Sequence, residues 1–267
     1  MSQTAIPVVV TGASGKMAQA ALSAIVNDPE LRLAGATSRN LDGPSLEVAR
    51  SGPVPLLRDL GTLLGKVEAR VLVDFTVAEA AMDHARMAFG HGVSPVLGTT
   101  GLSAEDFREL EVLSQSTGLG AVVAPNFAIG AVIMMHLSRV AARYFDYAEI
   151  LELHHEGKTD APSGTALATA QGMARARGRQ FQWKAAKKET LKGTRGGQWE
   201  GIGIHSIRLP GLVAHQEVIL GATGQTLSIR HDTTSRESFM PGLLIAIKEV
   251  VRQDQLVIGL DRLLGLE

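Results

Sequence analysis

The sequence contains no cysteine. Disulfides, thiolate metal ligands and a cysteine nucleophile are therefore excluded, and the composition fits a reducing compartment. An excess of charge of one sign is lacking too, because 26 lysines and arginines face 27 aspartates and glutamates, giving a net charge of −1. Such a balance offers no electrostatic footprint for a nucleic acid or an anionic membrane.

Long apolar runs are absent as well. No stretch reaches the roughly 20 apolar residues that a membrane-spanning helix needs. The first ten residues lack the basic region of a secretory signal, and their apolar run is too short for one. We therefore expect a cytoplasmic protein that has neither a membrane nor a nucleic acid as a partner.

The first half of the chain has an alternating pattern. Hydrophobic residues make up 45% of the 267 positions and charged residues 20%, which suffices for one large domain or two modest ones. Short β-branched runs alternate with helical stretches, which predicts a parallel sheet with helices on both faces. The predicted strands are 6–10, 31–37, 70–75, 93–97 and 121–124. The predicted helices are 17–26, 77–89 and one that begins at a capping box formed by Ser103 and Asp106. Residues 38–52 are predicted as a loop with a short helix.

The pattern changes after residue 126. The predicted elements there are a helix over 130–144, a strand over 148–155, a helix from 163, a basic loop over 177–198, strands over 203–209, 217–220 and 226–232, and a helix over 241–252. A short turn between the last two strands favours antiparallel pairing.

The predicted fold class is therefore α/β, with three parts. Residues 1–126 form a Rossmann-type dinucleotide-binding domain. Residues 127–238 form an α+β domain with a mixed or antiparallel sheet, for substrate binding and oligomerisation. Residues 239–267 return to the first domain.

A glycine-containing loop follows the first strand and opens the first helix. It comprises Gly12, Ala13, Ser14, Gly15, Lys16 and Met17. Glycines there let the backbone approach a pyrophosphate, and the helix N-terminus adds N–H donors and a positive dipole end. The pattern departs from G-x-G-x-x-G at Ser14 and Ala18, and such turns also occur without a ligand.

The end of the second predicted strand bears on the choice of cofactor. An acidic residue there would bind the ribose of NAD, but the first carboxylate is Asp42. Ser38 and Arg39 suit a 2′-phosphate better, which favours NADPH with NADH as the alternative. Arg39 as an ordinary solvated arginine remains open.

Two further loops end predicted strands of the same sheet. They are Gly98-Thr99-Thr100 and Ala124-Pro125-Asn126-Phe127. Ligands bind beyond the carboxyl ends of such strands, so these loops are candidates to border a nicotinamide. Plain turns are the alternative, as is turn chemistry for Asp74.

Residues 152–166 read E-L-H-H-E-G-K-T-D-A-P-S-G-T-A and carry the strongest chemical pattern. His154 and His155 close a predicted strand, where neighbouring side chains point to opposite faces, so a shared role requires the strand to break there. Lys158 follows in a loop, and histidine and lysine can both move protons near neutral pH. Gly164 and Thr165 open a helix whose N–H groups suit a carboxylate. The alternative is that the histidines are ordinary core or surface residues.

Metal binding is a competing interpretation of the histidines. His154, His155 and Glu156 are consecutive, which does not place two ligands on one face as H-E-x-x-H does on a helix. His205, His215 and His231 fall on separate predicted strands. We expect no metal.

In these residues the chain resembles a known family, the 4-hydroxy-tetrahydrodipicolinate reductases of bacterial lysine and diaminopimelate synthesis. These enzymes are also called dihydrodipicolinate reductases. The resemblance covers nearly the whole chain, and the His-His…Lys…Asp-Ala-Pro-Ser-Gly-Thr string is its most specific part. The other matching motifs are V-T-G-A-S-G-K-M, D-F-T, G-T-T-G, A-P-N-F, H-S-I-R-L-P-G, H-Q-E-V-I-L-G and I-R-H-D-T-T-S-R-E-S-F.

The resemblance implies reduction of a cyclic dicarboxylate, 4-hydroxy-tetrahydrodipicolinate, to tetrahydrodipicolinate and water by NAD(P)H. It implies that His154 gives and takes a proton, that Lys158 is a proton donor, and that His155, Gly164 and Thr165 bind the substrate. It implies a homotetramer in which second-domain sheets build the contacts. The implied cofactor contacts are Gly12, Ala13, Ser14, Gly15, Lys16, Met17, Arg39, Gly98, Thr99, Thr100, Ala124, Pro125, Asn126 and Phe127.

Two departures and three rival functions remain. Ala18 stands where many relatives have glycine. Ser38 stands near where an acidic residue is frequent, which puts dual use of NADH and NADPH in doubt.

Homoserine and diaminopimelate dehydrogenases stay open as alternative functions on fold alone. Aspartate-semialdehyde dehydrogenase is a thiol enzyme and is excluded. A catalytically silent NADPH sensor is the rival of another class, and the intact His154, His155 and Lys158 argue against it.

Overall fold

The computed structural model describes residues 5–41 and 43–266. The chain divides into two units, which we call the first unit (Met1–Phe127 with Phe239–Glu267) and the second unit (Ala128–Ser238). Within the described residues, no helix combines the length and apolar character needed to cross a membrane.

The first unit begins with alternating strands and helices. Its strands up to residue 123 are β1 (Ile6–Val10), β2 (Leu31–Thr37), β3 (Ser45–Val48), β4 (Gly52–Leu57), β5 (Val71–Asp74), β6 (Ser94–Leu97) and β7 (Ala121–Val123). Its helices there are α1 (Lys16–Asn27), α2 (Leu60–Leu64), α3 (Ala78–Gly90) and α4 (Ala104–Thr117). The five predicted strands are confirmed to within one residue at each end. The capping box is also confirmed, because the Ser103 and Asp106 side chains each accept from the other's backbone N–H.

The prediction of a loop with a short helix over 38–52 is wrong. A hairpin stands there, in which β3 pairs antiparallel with β4 and Val48 lies opposite Gly52. The turn contains two positive φ angles, 73° at Arg50 and 69° at Gly52. Every residue of β3 is exposed or half-buried, so the hydrophobic alternation that marks a strand is faint. Prolines at positions 53 and 55 further weaken the strand pattern of β4.

The second unit contains α5 (Ile129–Ala141), β8 (Tyr147–His154), α6 (Gly164–Arg177), β9 (Gly197–Trp199), β10 (Ile202–Arg208), β11 (Ala214–Ala222) and β12 (Gln225–Thr233). Its sheet has the order β12-β11-β8-β10-β9. The pair of β10 and β8 is parallel and the others are antiparallel, so the sheet is mixed, as predicted. The helix predicted over 130–144 ends three residues early. The chain between α6 and β9 is irregular, in agreement with the predicted loop.

The last segment belongs to the first unit. It comprises α7 (Met240–Val250), β13 (Leu256–Ile258) and α8 (Leu260–Leu263). Helix α7 packs against α1 and against β5, β6 and β7. Strand β13 adds to β7 in parallel, which gives an eight-stranded sheet of order β13-β7-β6-β5-β1-β2-β4-β3 among the described residues. β13 was missed because three residues are too few for a periodic pattern.

The core of the second unit lies between its sheet and the helices α5 and α6. Alternate residues of β8 point into it, and Ala148, Ile150 and Glu152 are all buried. Helix α6 contributes Ala170 and Met173 to the same cluster. A buried aliphatic side chain stabilises such a core by roughly 1.5–3 kcal/mol. A carboxylate at the third position of this apolar row therefore needs specific partners.

Candidate active site

The loop between β1 and α1 is built around two glycines. Gly12 has a φ of +65°, and a Cβ there would lie 3.1 Å from Cγ2 of Thr76, so a side chain fits poorly. Gly15 is the N-cap of α1, and no side chain caps that end. The first N–H groups of a helix have no acceptor within the helix. Together with the exposed Lys16, they form an end of α1 that suits a phosphate.

The predicted cofactor residues of the first unit come together at one edge of its sheet. They follow β1, β2, β6 and β7, and these strands run parallel within the sheet. The exposed members are Ser14, Gly15, Lys16, Arg39, Thr100 and Pro125. The half-buried members are Gly12, Met17, Gly98 and Asn126. Ala13, Thr99, Ala124 and Phe127 are buried. Any contact that they make with a ligand is therefore limited to a few atoms or comes from the core side of the site.

Aromatic packing fixes the loop after β6. A Cβ on Gly98 would lie 2.2 Å from Cε1 of Phe75 and 3.1 Å from Cε2 of Phe127, so only glycine fits there. The two rings meet edge to face with centroids 5.9 Å apart. The Thr99 hydroxyl donates to the Thr76 carbonyl at 2.8 Å. These contacts hold the carboxyl ends of β5, β6 and β7 together at one edge of the sheet.

Asp74, the last residue of β5, is a fully buried carboxylate that holds two of these loops together. It accepts from the Thr11 hydroxyl, from the Thr76 N–H and hydroxyl, and from Nδ1 of His84, each at 2.6 Å. Burial alone would raise the pKa of Asp74, but hydrogen bonds from His84, Thr11 and Thr76 outweigh it and lower that pKa. Asp74 therefore performs the turn chemistry expected from its position.

Ser38 does not face a ligand as a free hydroxyl. It is 3% exposed, and its oxygen accepts from the N–H groups of Asn40 and Leu41 at 3.2 Å each, which closes a turn. Arg39, next to it, is exposed. Asp42, the first carboxylate after β2, lies outside the described residues. Of the pair proposed for a 2′-phosphate, Arg39 alone remains available through its side chain.

In the second unit, His154 is the last residue of β8 and lies two positions after Glu152, on the same face of the strand. Its Nδ1 is 2.5 Å from Oε2 of Glu152. Glu152 is 0% exposed, and the His154 side chain is 15% exposed. The Glu152 carboxylate thus holds the imidazole through Nδ1 on the core side. The other ring nitrogen, Nε2, remains for contact with a ligand.

The expectation that His155 belongs to the strand is wrong by one residue. Strand β8 ends at His154, and His155 stands exposed in the turn that follows. The Lys158 N–H donates to the His155 carbonyl at 3.1 Å and closes that turn. The alternation of faces along a strand therefore does not separate the two histidines.

Lys158 is connected to the same cluster through Asp160 and Arg208. Its Nζ lies 2.7 Å from Oδ1 of Asp160, and this hydrogen bond lowers the pKa of the Asp160 carboxyl. Arg208, at the end of β10, donates to Oε1 of Glu152 at 2.8 Å, to Oε2 at 3.0 Å and to the Asp160 carbonyl at 2.7 Å. One guanidinium therefore joins the strand that ends in His154 to the loop that carries Lys158.

Helix α6 begins beside this cluster. Ser163 is its N-cap and accepts from the Ala166 N–H at 3.1 Å, and the Ser163 N–H lies 3.3 Å from Oε1 of Glu152. Gly164 and Thr165 are the first two residues of the helix. Gly164 is exposed, and nothing lies within 4 Å of the place where its Cβ would be. The start of α6 is therefore open to an anion next to His154 and Lys158.

Sequence reasoning missed three members of this cluster: Glu152, Asp160 and Arg208. Glu152 could have been found, since a carboxylate two residues before a histidine on a strand shares its face. Arg208 lies 56 residues from Glu152, and only the parallel pairing of β10 with β8 unites them. Among the described residues, no group of three or more ligating side chains is arranged for a metal ion.

Comparison with protein families gives two matches that follow one another along the chain. The model of the dihydrodipicolinate reductase N-terminus matches residues 6–127, and that of the dihydrodipicolinate reductase C-terminus matches residues 130–264. The chain belongs to the dihydrodipicolinate reductase family. The C-terminal match runs through the second unit and on into α7, β13 and α8, so the family's sequence division differs from the structural one.

Individual relatives agree with the dihydrodipicolinate reductase assignment. A 4-hydroxy-tetrahydrodipicolinate reductase of Dehalococcoides mccartyi is 49% identical over 264 residues, which cover 98% of this chain and 100% of the relative. A dipicolinate-bound dihydrodipicolinate reductase from Paenisporosarcina sp. TG-14 superposes with a TM-score of 0.86 at 40% identity, covering 97% of this chain and 99% of that one. An amine dehydrogenase from Mycobacterium smegmatis, with a TM-score of 0.68 at 17% identity, shares the fold alone.

Proposed function

We propose that this protein reduces 4-hydroxy-tetrahydrodipicolinate to tetrahydrodipicolinate, with loss of water, in lysine and diaminopimelate synthesis. Membership of the family over both halves of the chain supports the reaction. The structural observation that carries it is the set of contacts through Glu152 and Arg208 that links His154 to the start of α6 and to the loop of Lys158. A proton donor, a cation and a helix N-terminus are the groups that a reactive dicarboxylate requires.

The first unit fits a nicotinamide dinucleotide. Gly12 lies where a side chain would meet Thr76, and the N-terminus of α1 has no side-chain cap, so the backbone between them can cradle a pyrophosphate. Residues 12–17 would hold the phosphates, and residues 98–100 and 124–127 would border the nicotinamide. When bound, the reduced cofactor supplies the hydride.

We further propose a preference for NADPH over NADH. The support is Arg39, an exposed guanidinium at the end of β2. A guanidinium binds a 2′-phosphate through paired N–H donors and opposite charge. Ser38 is withdrawn from this role because its hydroxyl closes the turn that follows it.

The substrate carboxylates would be bound by Lys158 and by the N–H groups of Gly164 and Thr165, with His155 as a further contact from the exposed turn. The Paenisporosarcina relative is a dipicolinate complex, and dipicolinate is likewise a ring with two carboxylates. An ammonium and a helix N-terminus each stabilise one negative charge. This division assigns one cationic element to each carboxylate.

His154 is proposed to move the proton. With Nδ1 held by Glu152, its Nε2 can protonate the ring carbon next to the one that accepts hydride. Loss of the 4-hydroxyl as water takes up a proton at the leaving oxygen and releases one from a neighbouring ring carbon, so the dehydration consumes no net proton. Lys158 is the second donor within the cluster and can protonate the leaving oxygen. Placing donors at the reacting atoms typically accelerates such a step by about 10²- to 10⁴-fold.

A homotetramer and a cytoplasmic location complete the proposal. On the face of the second-unit sheet that points away from α5 and α6, Leu151, Leu153, Ile207 and Ile219 are not buried. A row of partly exposed aliphatic side chains suits contact with a second copy of the chain. The resemblance to a family of lysine and diaminopimelate synthesis supports the location.

The decisive experiment is a coupled assay at the absorbance band of the reduced nicotinamide. Substrate is generated in situ from pyruvate and aspartate semialdehyde by the preceding enzyme, with NADPH and NADH tested separately. Turnover with NADPH supports the proposal. No oxidation with either cofactor refutes the activity, and a strong preference for NADH refutes the role of Arg39.

Lys158→Ala tests the second donor in the same assay. We expect turnover to fall below detection while NADPH still quenches or shifts protein fluorescence with unchanged affinity, because Lys158 lies in the second unit and the dinucleotide loop in the first. Asp160→Asn is the matched control, since it releases the Lys158 ammonium without removing it. Retained turnover in Lys158→Ala contradicts the role.

A further inference from the structure

Glu152 is the one position in the β8 row Ala148–Ile150–Glu152 that core packing does not explain. Its neighbours along the row are buried aliphatic residues, and it is itself 0% exposed. A buried carboxylate is tolerated only when ionised partners and hydrogen bonds replace its lost water. A leucine would fill the same place without that requirement, so the acid has another use.

The partners of Glu152 are all donors, and they come from three elements of the second unit: β8, β10 and the start of α6. Nδ1 of His154 lies 2.5 Å from Oε2, Arg208 binds both oxygens at 2.8 and 3.0 Å, and the Ser163 N–H lies 3.3 Å from Oε1. The Ser206 hydroxyl also donates to the carboxylate. Burial alone would raise the pKa of Glu152, but these hydrogen bonds outweigh it and lower the pKa to about 2. Glu152 is therefore an anion throughout the neutral range.

We infer that Glu152 is a positioning residue for His154: its carboxylate accepts the Nδ1–H of the imidazole and so fixes Nε2 as the nitrogen that exchanges protons with the substrate. This inference rests on the proposed role of His154. A histidine has two nitrogens of similar basicity, and the hydrogen bond made by one decides the protonation of the other.

Arg208 completes the arrangement. It neutralises Glu152 in the core and, through the Asp160 carbonyl, fastens the loop of Lys158 to the same carboxylate. His154, Glu152, Arg208, Asp160 and Lys158 thus form one connected chain of polar contacts of 2.5–3.0 Å. The two proposed proton donors are placed by a single buried anion and its guanidinium.

The charged groups near His154 come from its own strand, from β10 and from the loop that follows β8. Its own strand brings Glu152, β10 brings Arg208, and the following loop brings Lys158 and Asp160. The cross-strand neighbour on β11 is Ala214, which carries no charge. Residues 164–171 of α6 contain no ionisable side chain. Glu152 is therefore the anion in direct contact with the imidazole.

The same strand offers a matched control in Glu149. It also pairs with a histidine and an arginine, with 2.7 Å from Oε2 to Nε2 of His205 and 2.7 Å from Oε1 to Arg195. It points to the opposite face of β8 and is partly exposed. Glu149→Gln therefore makes the same chemical change on the same strand without touching His154.

Glu152→Gln is the first test, in the coupled assay. We expect kcat to fall on the order of 10- to 100-fold, with KM for substrate and NADPH within about threefold. Glu149→Gln should stay within about twofold in kcat.

The tautomer of His154 gives a readout that is independent of turnover. In the ¹⁵N-histidine-labelled wild-type protein, neutral His154 should carry its proton on Nδ1, with the resonance assigned by its absence in His154→Gln. In Glu152→Gln the proton should redistribute towards Nε2. A wild-type resonance with the proton on Nε2 overturns the inference, whatever the activity.

Glu152→Gln leaves the Arg208 guanidinium without the carboxylate that balances its charge, so the folding of the variant is at risk. The double variant Glu152→Gln/Arg208→Gln removes both charges and covers that case. It should keep the lowered kcat and the altered tautomer. Recovery of wild-type kcat in the double variant overturns the inference, because Glu152 would then serve only to balance Arg208. Full turnover in His154→Gln would instead refute the proposed function, while the tautomer result would still stand by itself.

Discussion

Among the described residues, each unit buries a carboxylate at or near the carboxyl end of a strand, and each of these carboxylates contacts Nδ1 of a histidine. Asp74 lies 2.6 Å from His84 in the first unit, and Glu152 lies 2.5 Å from His154 in the second. Both carboxylates are 0% exposed. By distance and burial alone, the two pairs are nearly the same.

The two pairs differ in what else surrounds the carboxylate. Asp74 is satisfied by neutral donors from Thr11 and Thr76, so its hydrogen bonds fasten loops to one another. Glu152 is satisfied by a guanidinium that also reaches the loop of Lys158. His84 lies on a helix of the first unit, whereas His154 ends a strand beside an open helix start. A carboxylate–histidine pair is therefore a structural clamp in one unit and a candidate proton-transfer device in the other.

Replacing the histidine of each pair should separate them most widely. His154→Gln is expected to lower kcat by about 10³-fold, because it removes the proposed proton donor. His84→Gln should change kcat by less than about threefold, because its carboxylate keeps three other donors. The coupled assay measures both, and equal losses in the two variants would contradict the distinction.

The charge of Glu152 should stabilise the fold at neutral pH, and this stabilisation should be lost in acid. Its pKa is about 2 in the folded protein and 4.5 ordinarily. A depressed pKa stabilises the fold above the ordinary value, and this contribution is lost as pH falls from 4.5 towards 2. The shift corresponds to about 3 kcal/mol at neutral pH. The free energies of unfolding of wild type and Glu152→Gln, measured in urea, should therefore differ by an amount that decreases from about pH 5 towards pH 2. A constant difference would contradict the assignment.

Removing the charge of Asp74 should lower the free energy of unfolding and leave kcat nearly unchanged. An amide in Asp74→Asn has one acceptor oxygen, so it cannot satisfy all four donors, and the free energy of unfolding should fall by about 2 kcal/mol. The loops after β1 and β5 lose a shared anchor, so NADPH should bind more weakly. At saturating cofactor, kcat should remain within about threefold. A large loss of kcat with normal stability would place Asp74 in the chemistry.

The smallest expected effect concerns the cofactor alone. Arg39→Ser should raise KM for NADPH by about tenfold, which corresponds to about 1.4 kcal/mol, and leave KM for NADH nearly unchanged. The guanidinium interacts with a group that NADH lacks, so only one cofactor should respond. Parallel assays measure both constants, and equal changes would assign Arg39 a structural role.

Much of this comparison was accessible from the sequence, with clear limits. The alternation of strands and helices up to residue 126, the glycine loop after β1 and the order of His154, Lys158 and Gly164 follow from local pattern. The hairpin of β3 and β4 did not, because β3 is nowhere buried. Strand β13 did not either, since its three residues gain their identity only from pairing with β7.

The candidate site divides in the same way. Which residues can move a proton or bind an anion is a property of side-chain chemistry and helix ends, and the amino-acid order determined both. Which of them meet was decided by the sheet of the second unit, where the pairing of β10 with β8 brings Arg208 to Glu152 across 56 positions. The physical reason is that strand pairing and burial act between distant segments. A buried charge is stable only where such segments supply its partners, and no local pattern encodes that meeting.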